Sequence, residues 1–285
     1  MKKLFLTLLY VILSPHLFPQ NLMDLLNDSI PENSPVKLTF KTTRIVIGQS
    51  IENVPKKNIL FSVGHHFGKI NSGPSEFFGL TFSTVRIAFD YGLTSRLTTG
   101  VGISTYQKNL EGSVKYLLLR QTTGKKETPI SLSYFGVIYV TTIKWSDSLT
   151  AHQFVPKLSY CNQLLLARKF NRLFSFQLTG TYIHYNYVQK VNDQNNIFAI
   201  GAGESFKITP HASFNLEYHY LLPGQVANDF SNSLSLGLDM DVGGHDFQLF
   251  ITNSLPLIDR GFIAETQGKW GKGDIYFGFN IFRYF

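Results

Sequence analysis

The sequence predicts an all-β protein, an antiparallel up-and-down transmembrane β-barrel of about twelve strands. Three observations carry this prediction: segments of about ten residues in which apolar and polar side chains alternate, connections that alternate between short and long, and an aromatic-rich final segment. A tilted strand that crosses a membrane needs ~9–11 residues, whereas strands of soluble proteins usually have ~5–6. The segment lengths therefore favour a membrane barrel over a soluble sandwich.

The first residues have the features of an export signal. Lys2 and Lys3 precede an apolar stretch at residues 4–13, which is shorter than the ~20 residues of a spanning helix. We therefore predict a signal peptide at residues 1–19. Residues 20–57 are interpreted as an N-terminal extension that lies in the periplasm or enters the lumen, and residues 58–285 as the barrel. Residues 37–48 could form one more strand, and a strand pair in this region would raise the strand count to fourteen.

The remaining chain divides into segments separated by Gly, Pro, Asn and Asp. In one clear case, Phe214 and Tyr218 share one face while Glu217 and His219 share the other, because successive side chains of a strand point to opposite sides. The twelve predicted strands are 58–68, 83–91, 96–107, 110–121, 129–142, 157–170, 173–188, 195–208, 211–222, 232–242, 245–253 and 273–285.

The connections between these segments are mostly short and long in turn, as expected for periplasmic turns and external loops. An even strand number would place both termini in the periplasm. Two connections depart from the pattern, since 107–110 is short for an external loop and 122–129 is long for a turn.

The final segment, residues 274–285, carries aromatic side chains on both faces and ends in Phe285. It resembles the C-terminal recognition strand of bacterial outer-membrane proteins. We therefore predict that Tyr276, Phe279 and Phe285 form an assembly signal for the barrel-assembly machinery. Tyrosines near strand ends, Tyr106 among them, fit an interfacial aromatic girdle.

Four further segments carry a family resemblance: residues 40–44 (FKTTR), 62–68 (SVGHHFG), 167–171 (ARKFN) and 268–274 (GKWGKGD). Together they resemble a family of outer-membrane β-barrels typical of the Bacteroidota and catalogued as a domain of unknown function. The resemblance runs from about residue 37 to the end of the chain. It implies a porin-like barrel in the outer membrane of a Gram-negative envelope, and it assigns no catalytic residue.

Charged residues opposite clean apolar rows are the main functional clue. A charge that faces lipid at mid-membrane costs ~2–4 kcal/mol for Arg or Lys, so we expect such residues to line the lumen. The candidates are Arg86, Asp90, Glu217, His219, Asp239 and Asp241. Their mixed signs could line a pathway for a small polar solute or pair with one another to fill the interior, and the sequence leaves both open.

No pattern in the sequence predicts a catalytic site, a cofactor or a metal. His211 and Ser213 have the His-x-Ser spacing of outer-membrane phospholipases, but they lie at a predicted periplasmic turn, with Ser213 facing inward. His65 and His66 are neighbours in a strand and therefore point to opposite faces. The net charge of +7 is spread along the chain, so no nucleic-acid partner is expected.

The predicted loop 254–272 places Trp270 between Lys269 and Lys272. These side chains would contact a ligand or lipopolysaccharide, or anchor the barrel at the membrane interface, and anchoring is the default. Outer-membrane lipid, a small polar solute and an envelope protein are the other candidate partners. We predict a pore or binding protein for a small polar solute, with a plugged scaffold of an envelope complex as the alternative and a lipid-modifying enzyme as the weakest.

Overall fold

The computed structural model describes residues 33–143, 153–188, 193–226 and 229–285. In this part of the chain, twelve strands close into an antiparallel barrel in which each strand pairs with its neighbours in sequence and the last pairs with the first. They are β1 (Ile59–Lys69), β2 (Ser83–Gly92), β3 (Leu97–Ser104), β4 (Asn109–Leu119), β5 (Ser131–Thr141), β6 (Leu158–Lys169), β7 (Phe174–Tyr185), β8 (Asn196–Lys207), β9 (Ala212–Leu221), β10 (Ser233–Val242), β11 (His245–Thr252) and β12 (Tyr276–Tyr284).

The predicted barrel of twelve strands is confirmed, and the alternative of fourteen is wrong. The predicted faces also hold: Phe214 and Tyr218 are 40% and 37% exposed on the outer surface, while Glu217 and His219 are buried inside. Apolar side chains on the outer face of a strand, opposite polar ones on its inner face, are the arrangement of a barrel in lipid. No helix within the described ranges is long and apolar enough to cross a membrane.

The two ends of the barrel differ. At one, here called the turn end, β1 begins and β12 ends, and the amide nitrogen of Ile59 donates to the carbonyl of Phe285 at 3.0 Å. The tight connections 93–96, 170–173, 208–211 and 243–244 lie at this end. The opposite end, here called the loop end, carries connections that include 70–82 and 253–275.

The two connections of unexpected length have structural explanations. Residues 105–108 form a tight loop-end connection in which Gln107 and Lys108 have φ of +50° and +46°. At the turn end, residues 122–123 pair with residues 34–35 in a separate two-stranded sheet, which accounts for the length of that connection.

Residues 39–54 occupy the lumen and are here called the N-terminal plug. The ammonium of Lys41 donates to the carbonyl of His211 (2.6 Å), and the amide of Asn53 donates to the carbonyl of Arg96 (2.7 Å). Both acceptors lie in connections at the turn end, so the segment enters and leaves the barrel through that end. Its apolar side chains Val46 and Ile47 are at most 1% exposed.

The further strand anticipated at residues 37–48 is wrong. The N-terminal plug forms a tight bend in which the amide of Ile45 donates to the carbonyl of Gly48 at 2.9 Å. The carbonyls of Ile45, Val46 and Gln49 bond to side chains of the barrel wall rather than to the backbone of a neighbouring strand. The predicted signal peptide, at residues 1–19, lies outside the described residues.

A second segment, residues 253–266, fills the lumen from the loop end and is here called the loop plug. It includes a short helix, α1 (Asp259–Ala264), whose residues are all buried. Ile258, Phe262 and Ile263 are 0% exposed and share one hydrophobic core with the N-terminal plug and inward residues of β5 to β8. The apolar core of this barrel therefore lies in its lumen, between two plugs.

Candidate functional site

Glu217 on β9 is the clearest of the predicted lumen residues. Its carboxylate accepts the backbone N–H groups of Val46 and Gly48, at 2.9 Å each. The imidazole Nε2 of His219 lies 2.7 Å from the same carboxylate. A buried carboxylate is expensive unless it is hydrogen-bonded. Here the bend of the N-terminal plug supplies the donors, so Glu217 holds that segment in the lumen.

Four other wall side chains donate hydrogen bonds to carbonyls of the N-terminal plug. The ammonium of Lys115 donates to the carbonyls of Thr43, Ser50 and Glu52, at 3.2, 3.0 and 3.2 Å. The amides of three further residues each donate to one plug carbonyl: Gln248 to Ile45 (2.7 Å), Asn280 to Val46 (2.9 Å) and Gln177 to Gln49 (2.7 Å). Sequence reasoning missed all four, although the inward phase of Lys115 on β4 was a signal for it.

Two of the remaining predicted lumen charges, Arg86 and Asp239, bond to other side chains of the wall. Arg86 forms an ion pair with Glu111, and both side chains are buried. Asp239 accepts the hydroxyl of Ser213 at 3.3 Å and the amide of Gln248. Asp90 lies near the turn end with Lys115, around the same small void. These contacts favour the internally paired network over a polar pathway.

Asp241 is not part of this network. It has the inward phase of β10, but that strand extends beyond the lumen at the turn end, where the Asp241 side chain is 44% exposed. Its carboxylate lies 3.6 Å from Nδ1 of His211, whose side chain is 76% exposed. Ser213, by contrast, is buried and bonded to Asp239. The His-x-Ser spacing therefore corresponds to one exposed and one buried residue with separate carboxylate partners.

The adjacent histidines point apart, as the strand geometry requires. His65 stacks on Phe279 on the outer surface, with ring centroids 5.1 Å apart. His66 faces inward, and its Nδ1 lies 2.9 Å from the carbonyl of Leu255 in the loop plug. In the described parts of the chain, no three His, Cys, Asp or Glu side chains come together as a metal site.

Trp270 is fixed to the barrel rim. Its indole nitrogen donates to the carbonyl of Leu234 at 3.2 Å, and the ring is only partly exposed. Lys269 and Lys272 are exposed beside it. This placement fits the anchoring interpretation of the sequence.

A cavity of about 330 Å³ opens at the loop end. One wall is a group of five residues around a single carboxylate, here called the Glu265 cluster: Glu265, Tyr106, Gln107, Tyr185 and Arg260. The hydroxyls of Tyr106 and Tyr185 donate to Glu265 at 2.9 and 2.8 Å, the amide of Gln107 donates at 2.8 Å, and Arg260 forms an ion pair with it.

The electrostatics of the Glu265 cluster keep its donors protonated. Burial and the neighbouring Glu265 carboxylate raise the pKa of Tyr106, so its hydroxyl remains a donor. The guanidinium of Arg260 lies over the rings of Tyr139 and Tyr185, at 5.7 and 5.4 Å from their centroids. Such stacking stabilises a buried cation.

Tyr106 was expected in an interfacial girdle, and that prediction is wrong. The tight 105–108 connection turns its ring inward, where its hydroxyl reaches the loop plug. Arg260 and Glu265 were missed because they lie in a segment that sequence reasoning treated as an external loop. The apolar residues around them, Leu257, Ile258, Phe262 and Ile263, were the available signal.

The model of the membrane bound beta barrel domain family (DUF5777) matches residues 40–285. The chain belongs to this family. The match begins within the N-terminal plug, so the family domain includes most of that segment together with the barrel. It also confirms the resemblance to a membrane barrel family of unknown function.

No curated protein matches the chain in sequence. Among solved structures, the chain is similar to the NanC porin, with a TM-score of 0.50 and 9% identity over 79% of this chain and 97% of that one. It also matches the outer membrane channel DcaP of Acinetobacter baumannii (TM-score 0.35, 11% identity, 80% and 95% covered) and LpxR from Salmonella typhimurium (0.38, 8%, 80% and 99%). At these identities the likeness shows the fold alone: a membrane-bound, porin-like β-barrel.

Proposed function

We propose that this protein is a solute-binding barrel of the outer membrane, rather than an open pore. In this proposal the loop end faces the exterior, both termini lie in the periplasm, and a small polar solute binds in the loop-end cavity. The observation that carries the proposal is the combination of that cavity with a lumen filled from both ends.

The filled lumen argues against free diffusion through the barrel. The N-terminal plug bonds to at least five wall side chains, and the loop plug contributes the fully buried Ile258, Phe262 and Ile263. Passage of a solute would require both segments to leave, which breaks many buried hydrogen bonds at once. Each such bond costs ~1–3 kcal/mol when one partner is left unsatisfied.

The loop-end cavity supports the proposal that the protein binds a solute. Its volume of about 330 Å³ lies at the lower end of the ~300–1,000 Å³ typical of ligand pockets. Its wall combines tyrosine rings with amide and charged groups, which fits a solute with both apolar and polar faces. Arg260 and Glu265 belong at once to this wall and to the loop plug.

Planar-bilayer recording of the purified barrel tests the closed lumen. We expect wild-type protein that migrates as a folded barrel on unboiled gels to give no steady conductance. A constant open-channel current from that protein would overturn the proposal in favour of a diffusion pore.

Thiol labelling tests the orientation and the occupancy of the cavity. Gln267 is exposed and lines the cavity, whereas Arg172 is exposed in a turn-end connection, and the native Cys161 is buried. On intact cells, a membrane-impermeant maleimide should label Q267C but not R172C. Protection of Q267C by glucose, glucuronate or short aliphatic carboxylates would show occupancy. Labelling of R172C alone would reverse the orientation, and failure of all three classes to protect would refute solute binding.

The second candidate is a scaffold in an envelope complex, and one observation favours it. The 70–82 connection exposes Phe77 (67%), Phe78 (58%) and Leu80 (60%) at the loop end, and exposed apolar groups often mark protein contacts. A silent barrel whose cavity no solute protects would support this candidate. The geometry around His211 and Ser213 gives a lipid-modifying enzyme no comparable support.

A further inference from the structure

The Glu265 cluster has the composition of a carboxylate-binding site whose ligand is supplied by the chain itself. Three neutral donors and one guanidinium converge on a single carboxylate, and all five side chains line the cavity. Bonds from a guanidinium to a carboxylate are about twice as strong as neutral ones, which makes this a selective arrangement.

Three of the four donors belong to the barrel itself rather than to the loop plug. Tyr185 ends β7, and Tyr106 and Gln107 lie in the tight connection between β3 and β4. Arg260 is buried in α1, where its Nη2 donates to the side-chain oxygens of Gln107 (2.7 Å) and Asn109 (3.3 Å). The donors are therefore held in place by contacts that do not involve Glu265.

Glu265 is the adjustable member of the cluster. It follows the last residue of α1, and its side chain is more exposed than that of Arg260, at 13% against 5%. Rotation of this side chain toward the cavity would release four donors without moving the backbone. Within the described residues, Nε of Arg260 also has no hydrogen-bond partner. The guanidinium therefore has one N–H group that could donate to a ligand.

We propose that the cavity takes a small solute bearing a carboxylate, and that Glu265 occupies the position of that carboxylate until the solute replaces it. The proposal rests on the proposed solute-binding function and names the class of solute. Neutral solutes of the same size would lack the group that Arg260, Tyr106 and Tyr185 recognise.

Acetate rescue of a Glu265→Ala variant tests the proposal directly. The variant leaves the four donors around a gap of carboxylate size, so its thermal unfolding midpoint should fall. Sodium acetate should restore the midpoint in a concentration-dependent way, and sodium chloride at equal concentration should not. Wild-type protein should show a smaller difference between the two salts than E265A does, because acetate must first displace Glu265. E265A combined with Arg260→Met should lose the rescue. Equal effects of acetate and chloride on E265A would overturn the proposal.

A second measurement does not depend on the folding of E265A. In the Q267C background, glucuronate should protect the thiol from maleimide at a concentration about tenfold lower than glucose, as expected for one charge-assisted interaction. Protection by glucose and glucuronate at equal concentrations would refute the carboxylate class while leaving solute binding intact. Absence of protection by either, with acetate rescue of E265A intact, would refute solute binding and leave the carboxylate site.

Discussion

The guanidinium of Arg44 lies 3.7 Å from the carboxylate of Asp259, and this pair joins two segments that enter the barrel from opposite ends. Arg44 belongs to the N-terminal plug and Asp259 to the loop plug, and both side chains are almost completely buried. The hydroxyl of Tyr139 on β5 lies 3.0 Å from the same carboxylate. The plugs therefore contact each other as well as the wall. Displacement of one plug leaves a buried charge on the other without its partner.

Removal of either partner of this pair should destabilise the barrel strongly. We expect Arg44→Met and Asp259→Asn each to lower the free energy of unfolding by about 3–5 kcal/mol, because each leaves an uncompensated buried polar or charged group. The double variant should cost less than the sum of the two. Urea titration of the barrel in lipid vesicles measures all three.

Lys69→Met is the matched control for the Arg44 and Asp259 variants. Lys69 pairs with Asp274 at 3.1 Å at the loop end, where its side chain is 40% exposed. Exposed pairs contribute about 0–1 kcal/mol, so this variant should unfold nearly as the wild type does. Strict additivity of R44M and D259N would mean that the two plugs are not coupled through this pair.

Gly48 should tolerate no side chain. A Cβ at this position would lie 2.5 Å from Oε1 of Glu217 and 3.2 Å from Nε2 of His219. Gly48→Ala should therefore push the bend of the N-terminal plug off Glu217, at a cost of about 1–3 kcal/mol, and produce transient conductance in planar bilayers.

Gly180→Ala is the control for the Gly48 variant, since a Cβ on Gly180 of β7 meets no atom within 4 Å. It should fold normally and remain silent in bilayers. Normal stability and silence of G48A as well would show that the N-terminal plug does not depend on its contact with Glu217.

The charge of Glu217 should matter more than its shape. Glu217→Gln replaces one oxygen with an NH₂ group that cannot accept the N–H of Val46 or Gly48. Bonds to charged groups contribute about 1.5–3 kcal/mol each, so the variant should unfold at lower urea and open more often in bilayers. Glu204→Gln is the matched control, because Glu204 has the outward phase of the adjacent β8. Equal effects of E217Q and E204Q would contradict a role for Glu217 in holding the plug.

The barrel wall could be predicted from the sequence, because the alternation of apolar and polar residues assigns every strand residue to the outer or the inner face. Glu217, Arg86 and Asp239 were placed in the lumen for that reason, and the structure agrees. The same reasoning failed for the N-terminal plug. Ile45, Val46 and Ile47 form an apolar run that fits a strand, yet they are buried inside the barrel.

The Glu265 cluster was beyond sequence reasoning for a different physical reason. A loop has no period, so nothing in the order of residues between β11 and β12 fixes which side chains point inward. Tyr106 and Tyr185 are 79 positions apart, and Glu265 lies 80 positions after Tyr185. Only the closure of the barrel brings the two tyrosine hydroxyls to the Glu265 carboxylate. The predicted assembly-signal role of Tyr276, Phe279 and Phe285 stays a prediction.

The contact between the two loop-end connections should weaken in acid. The carboxylate of Asp274 accepts the amide of Asn71 (3.1 Å), the ammonium of Lys69 (3.1 Å) and the backbone N–H of Lys269 (3.2 Å). The bond from Asn71, above all, lowers the pKa of Asp274 below its ordinary value of 3.8.

A carboxyl whose pKa is lower in the folded protein stabilises it above the unfolded pKa, and that contribution is lost as the pH falls through the folded value. We therefore expect Asp274→Asn to speed amide hydrogen exchange at Lys272 and Gly273 at neutral pH. The factor should be no more than about fivefold, as for an exposed pair of about 1 kcal/mol. The ratio of variant to wild-type exchange rates should approach one well below pH 3.8, because Asp274 is then protonated. A ratio that stays constant across this range would show that the carboxylate charge does not hold the two loops together.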